Sequence, residues 1–150
     1  MRQAREVEVR VAAMTAPRPF QFPVRVYYED TDAAGVVYYA NYLKFMERAR
    51  TEWLAAIGFP LAAVEREHGV VFVVHRCEID FRLPARLNDA LAVTVEVEHR
   101  GASRLVARQE VRRDDAVLTT ALVTLACVDA TRWRPVRIPE PLAHRMESPA

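Results

Sequence analysis

Three carboxylates, Glu29, Asp30 and Asp32, stand close together in the stretch Tyr-Glu-Asp-Thr-Asp, and Gly35 separates them from a long segment of helical apolar period. A carboxylate just before a helix start faces backbone N–H groups that lack intrahelical partners, together with the positive end of the helix dipole. A nucleophilic or basic carboxylate beside such donors is the minimum equipment for attack on an acyl carbonyl, because the donors stabilise the oxyanion that forms. The acids also read as turn formers whose side chains accept local backbone N–H bonds. Both readings stand at this point. The helix that follows is too apolar to lie in solvent, so the acidic loop is anchored to a buried element.

Gly35 fits a backbone conformation that other residues resist, or a close approach of a ligand to the chain. The first-turn N–H groups near Tyr38, Tyr39 and Ala40 would point back toward the loop, where a thioester carbonyl would be polarised while Asp32 attacks it or activates water. Other acyl-transfer equipment is missing: there is no Gly-x-Ser-x-Gly elbow, and the serines are Ser103, in a turn, and Ser148, in the tail. Cys77 and Cys127 lie in strand-like runs with no base beside them, and read as buried free thiols. With no Cys-x-x-Cys pair and four scattered histidines, no zinc site is expected. His75 falls on the apolar face of its strand, as a core histidine or a pocket residue; His68, His99 and His144 sit at element ends. Glu47 reads as solvated or paired with Arg48 or Arg50. Arg100, Arg104, Arg108, Arg132 and Arg134 read either as solvated strand faces or as a phosphate clamp for an anionic cofactor such as coenzyme A.

The elements that must position these groups follow from periodicity. At 150 residues the chain is one domain with a real core, and its 27% charged and 51% apolar content is that of a soluble globular protein. A net charge of +1 argues against a nucleic-acid partner. No segment reaches the roughly 20 apolar residues of a membrane span, and the N-terminus lacks a secretory or transit pattern, so the cytoplasm is the expected location. Residues 1–20 read as a disordered extension, with Met14 as the natural start; 21–139 form the domain; 140–150 read as a fraying tail. Phe22 to Tyr28 alternates as a strand. From about Tyr38 the apolar stripe Tyr42, Phe45, Met46, Ala49, Trp53, Ala56, Ile57 predicts a long helix, ended by Gly58 and Pro60, with a shorter helix over Pro60 to Glu67. Four strands follow: Val70 to Phe81, Leu91 to His99, Arg104 to Arg112 and Val117 to Val128, the last apolar on both faces and hence central. In the first of these, Val71, Val73, His75, Cys77, Ile79 and Phe81 share one face. The order predicts an α+β domain, one long helix on an antiparallel sheet whose last four strands form a meander.

The stretch Asp-Thr-Asp-Ala-Ala-Gly-Val-Val-Tyr-Tyr-Ala-Asn-Tyr-Leu-Lys-Phe-Met-Glu-Arg-Ala-Arg-Thr-Glu-Trp-Leu closely resembles the 4-hydroxybenzoyl-CoA thioesterase family, nearest its tol-pal system-associated acyl-CoA thioesterase branch. The likeness continues through Gly-Val-Val-Phe-Val-Val, Glu-Ile-Asp-Phe-Arg-Leu-Pro-Ala-Arg-Leu-Asn-Asp and Arg-Pro-Val-Arg-Ile-Pro, over Phe22 to Pro139. The resemblance implies a hotdog fold, an antiparallel five-stranded sheet wrapped around one long central helix. It implies an acyl-CoA thioesterase without cofactor or metal, with Asp32 as the catalytic carboxylate and the Tyr39 backbone N–H as the oxyanion donor. Gly35, Val36, Val37, Tyr38 and Asn41 would border the substrate, while Arg100, Arg132 and Arg134 match basic contacts to the coenzyme A nucleotide. Sites between subunits, in dimers commonly paired into tetramers, are expected. The branch usually has histidine where this chain has Tyr39, whereas the 4-hydroxybenzoyl enzymes have tyrosine. A hotdog dehydratase would need a histidine near the loop–helix junction, which this chain lacks. A non-hydrolytic acyl-CoA or acyl-carrier-protein binding module, tied to envelope or lipid assembly, is the alternative from another class.

Overall fold

The computed structural model describes residues 19–147; the expectations for the N-terminal extension and for Met14 lie outside them. The strand β1 (Phe20–Arg25) is followed by a single 3-10 turn (Tyr28–Asp30), the long helix α1 (Asn41–Ala56) and the short helix α2 (Leu61–His68). Then come β2 (Val70–Phe81), β3 (Ala90–Arg100), β4 (Arg104–Arg113), β5 (Ala116–Asp129) and a last helix, α3 (Glu140–Arg145). The five strands form one antiparallel sheet in the order β1-β3-β4-β5-β2. Among the described residues, no helix is long and apolar enough to cross a membrane.

This is the expected α+β hotdog class, with α1 lying on the inner face of the sheet. α1 buries Tyr42, Phe45, Met46, Ala49, Trp53 and Leu54, a stripe worth about 1.5–3 kcal/mol for each large apolar side chain removed from water. The helix ends in a Schellman motif, in which Gly58 at φ +99° donates to Ala55 and the Phe59 N–H reaches back to the Leu54 carbonyl. Beneath the helix, the fully buried Gln109 of β4 donates its Nε2 to the carbonyls of Met46 (3.1 Å) and Thr94 (3.3 Å). Its Oε1 accepts from Arg50 Nη1 at 2.9 Å. One side chain thus ties the helix to two strands.

Several expectations need correction. Only β3, β4 and β5 form a meander: β2 pairs with β5 at the far edge, so β5 is interior, as its two apolar faces foretold. A bulge between Val74 and Arg76 inverts the alternation of β2, turning Phe72 and Val74 inward with Cys77, Ile79 and Phe81 and leaving His75 exposed as the extra residue. Cys77 is exposed rather than buried, whereas Glu47 is exposed to solvent as expected and accepts the Thr51 hydroxyl. The first strand stops at Arg25. The expected loose tail folds into α3, whose Leu142, with Met146 just beyond, is fully buried.

Because β2 and β3 are not neighbours, the segment 82–89 must cross the end of the sheet. It becomes a strap with both faces engaged. Arg82 and Leu83 donate to the Leu118 carbonyl, and Val26 pairs with Asn88 and Asp89. At its centre the buried Ala85 donates its N–H to the Tyr42 hydroxyl (3.0 Å) and accepts the Val37 N–H (2.9 Å). Asp89 accepts from the Arg86 N–H (2.8 Å) and from Arg113 Nη1 (2.7 Å), closing the strap onto β4. Burial opposes ionisation of Asp89, but these donors outweigh it and hold its carboxyl below the usual carboxylate range.

Tyr42→Phe should leave the Ala85 N–H without a partner and lower stability by about 1–3 kcal/mol in urea unfolding. Asp89→Asn should lower stability by about 1–2 kcal/mol at neutral pH. Since the folded pKa lies below the unfolded one, that contribution is complete above the unfolded value near pH 4. It disappears as pH falls through the folded value. Wild-type and variant unfolding curves should therefore converge on acidification; a constant gap would sink the assignment.

Candidate active site

The acidic loop is a tight two-sided turn built by the residues themselves. The Tyr38 N–H donates to the Asp30 carbonyl, Thr31 bridges Val37, and the Asp32 N–H donates to the Val36 carbonyl at 2.9 Å. At the tip the Gly35 N–H returns to the Asp32 carbonyl, with Gly35 at φ +78°. That left-handed conformation is why glycine stands there, since an added Cβ would meet nothing within 4 Å. The loop is fixed to the strap by the Val36–Arg86 bridge and by the Val37 N–H on Ala85.

The three acids separate by role. Glu29 is exposed. Asp30 closes the 3-10 turn, its Oδ2 accepting the Tyr27 N–H at 2.8 Å. Its carbonyl also accepts the Asn41 side-chain amide at 2.9 Å, so Asn41 braces the loop against α1. The exposed Asp32 accepts the Ala34 N–H on Oδ1 at 2.8 Å. Among the described residues Oδ2 has no partner. The turn-former and the reactive readings of Asp32 are thus compatible, one oxygen serving each.

Helix α1 begins at Asn41, later than the period alone suggested, with Ala40 as an N-cap that offers no side-chain hydrogen bond. The N–H groups of Val37 and Tyr38 are taken within the loop and strap, and that of Asn41 by the Tyr38 carbonyl. The Tyr39 and Ala40 N–H groups have no acceptor among the described residues. Around them lies an exposed aromatic cluster: Tyr39 packs on Tyr38 (4.9 Å between centroids) and edge-on against Phe81 (6.1 Å). None of the four histidines lies on this loop or on α1. Burial pushes the Cys127 thiol up to about 11 and raises that of Cys77 against the nearby Arg50, so neither favours the thiolate.

The arginines do not join this cluster within one chain. β3 is 11 residues long, about 35 Å at ~3.3 Å per residue, and Arg100 ends it while the strap meets its start. Arg100 borders a cleft of about 350 Å³ with Arg137 and His144, and its Nε has no partner among the described residues. Arg137 was not singled out by sequence, because nothing in its spacing links it to the β3–β4 turn. Arg132 and Arg134 are exposed on the turn after β5, which Asp129 nucleates by accepting the Thr131 and Arg132 N–H groups on Oδ1. Those two bonds hold the Asp129 carboxyl below its usual range.

Comparison with known proteins agrees with this architecture. The model of the thioesterase-like superfamily matches residues 26–146. The acyl-CoA thioesterase YbgC of Haemophilus influenzae is 45% identical over 121 residues, covering 81% of this chain and 89% of that protein. The acyl-CoA thioester hydrolase YbgC of Escherichia coli O6:H1 is 43% identical over 122 residues, covering 81% and 90%. A solved structure titled a probable thioesterase, from Bartonella henselae, superposes with a TM-score of 0.76 at 33% identity over 81% of this chain and all of that one. The resemblance first seen in the loop–helix stretch is borne out: the chain belongs to the thioesterase-like hotdog superfamily.

Proposed function

We propose that this protein hydrolyses acyl-CoA thioesters to the free acid and coenzyme A, with Asp32 as nucleophile or general base. The observation that carries the reading is the division of labour in one rigid loop. Asp32 has one oxygen pinned and the other open, and the next element presents the open N–H groups of Tyr39 and Ala40. A carbonyl oxygen lodged on Tyr39 N–H is polarised. Attack at its carbon gives a tetrahedral oxyanion held by that donor, and collapse expels the coenzyme A thiolate. One such donor is worth about 3 kcal/mol in comparable sites.

The active assembly in this reading is a homo-oligomer, dimer or tetramer, built on β2. β2 is a long edge strand whose inward side is uncovered: Val74 and Phe81 are about half exposed, as are Leu43 and Tyr39 across from them. An unpaired apolar edge of this kind calls for a partner strand. If two copies pair their β2 edges antiparallel, the Phe81 end of one meets the Val70 end of the other. Val70 pairs with Asp129, and Gly69 accepts the Ala130 N–H. That operation carries one subunit's Arg132 and Arg134 toward the other's Asp32 loop. Arg132 and Arg134 then act on the nucleotide of the substrate bound by the partner.

Asp32→Asn should reduce free-thiol release from an acyl-CoA panel by roughly 10²- to 10⁴-fold. Equal measurable rates in wild type and variant would remove Asp32 from the reaction, whereas tight acyl-CoA binding without any turnover would favour a binding module instead. In single turnover in oxygen-18 water, label entering the enzyme carboxyl marks the covalent route, since only a mixed anhydride opened at its aspartyl carbon delivers the oxygen of water there. Mixing Asp32→Asn with an Arg132→Ala/Arg134→Ala double variant at low substrate should restore about a quarter of wild-type activity through mixed dimers. No restoration would place the arginines in the same chain's site or outside it.

A further inference from the structure

We propose that the acyl group this enzyme accepts is a medium-to-long alkyl chain, lying along the groove between α1 and β2 and ending in the cavity beside Trp53. The proposal rests on the thioesterase reading and adds the substrate class to it. The cavity measures about 140 Å³ and is walled chiefly by Trp53, Leu54, Leu61, Phe72, Val74 and Met146. The space is open on one side and chiefly apolar in its lining, and about 150 Å³ is room for a benzene-sized group. The polar side chains in the wall are Glu47, Arg50 and Thr51: Thr51 donates to Glu47 Oε1, and Arg50 donates through Nη1 to the buried Gln109. The rest of the wall is apolar.

The path from the reacting carbonyl is laid out by two periodicities. Leu43, Glu47, Arg50 and Leu54 recur at helical spacing on one side of α1, and Tyr39 stands in the turn just before it. Phe81, Ile79, Cys77, Val74 and Phe72 are the inward residues of β2, the last two inward only because of the bulge at His75. Phe81 marks the mouth, 6.1 Å from Tyr39 and 5.6 Å from Tyr42 between ring centroids. Half-exposed Leu43 and Val74 flank the way in. At 1.5 Å per residue, Glu47 lies about 12 Å and Trp53 about 21 Å along the axis from Tyr39. An extended chain of single bonds advances ~1.2 Å per bond, so about ten to seventeen chain bonds bring an acyl terminus into the cavity.

The test reads occupancy and turnover separately. The sequence contains two tryptophans, Trp53 and the exposed Trp133, so Trp133→Phe isolates the fluorescence of Trp53. In that variant combined with Asp32→Asn, dodecanoyl-CoA brominated at its terminal carbon should quench Trp53 more strongly than the same ester brominated mid-chain. In wild type, kcat/KM should climb from butanoyl to dodecanoyl, about fourfold for each methylene that enters the cavity. Leu61→Trp, which fills the cavity from α2, should move the optimum to shorter chains. Equal or absent quenching by the two bromo esters, as when a partner side chain fills the space, overturns the proposal. So does a kcat/KM that is flat with chain length. No hydrolysis of any ester by the wild type would instead strike the thioesterase reading beneath it, and hydrolysis independent of Asp32 would strike only the role given to that residue.

Discussion

The backbone of Ala85 holds the acidic loop, the strap and the start of α1 together. It is buried, and both of its polar groups are committed: the N–H to the Tyr42 hydroxyl of α1, the carbonyl to the Val37 N–H of the acidic loop. A buried backbone group left without a partner costs about 1–3 kcal/mol. Helix, strap and loop therefore cannot shift independently without exposing such a group. The strap exists because β2 pairs with β5 instead of β3, which obliges residues 82–89 to run across the end of the sheet. A consequence of strand order thus becomes the platform on which Asp32 stands.

On that platform the local rules are relaxed at one place, the start of α1. A capping box would have a polar side chain at the third helical position reach back to the N-cap N–H. Here that position is Leu43 and the cap is Ala40. An ordinary Ser, Thr, Asp or Asn cap would add about 1 kcal/mol. The groups beside the gap are bonded: the Asn41 amide and the Tyr38 N–H to the Asp30 carbonyl, the Val37 N–H to Ala85. The open donors at Tyr39 and Ala40 stand next to them, and a proposed functional site is where sequence-level optimisation is expected to fail.

Much of this was legible in the sequence. The loop–glycine–helix order, the buried stripe from Tyr42 to Trp53 and the interior position of β5 follow from periodicities that survive into the structure. The rest was hidden for identifiable reasons. Alternation reports which residues share a face but not which strand lies alongside, so β2 read as part of the meander. A single extra residue at His75 reverses parity, so half of β2 was assigned to the wrong face. Tyr42 read as one more apolar residue in a stripe, because the acceptor role of its hydroxyl depends on Ala85, 43 residues away. The distance between Asp32 and the arginines was likewise hidden, since it depends on the direction of β3 rather than on spacing.

That distance explains why the proposed site requires two chains. The strap, the acidic loop and the helix start occupy one end of the sheet; the Asp129 turn and the β3–β4 hairpin occupy the other. No rearrangement of side chains within one copy spans an 11-residue strand. An antiparallel pairing through β2 superposes opposite ends, and it is the same edge that leaves Val74 and Phe81 uncovered. Covering an apolar edge and completing a polar cleft are separate physical demands. On the proposed two-fold they are met by one contact, so the stability of the assembly and the competence of the site would rise and fall together.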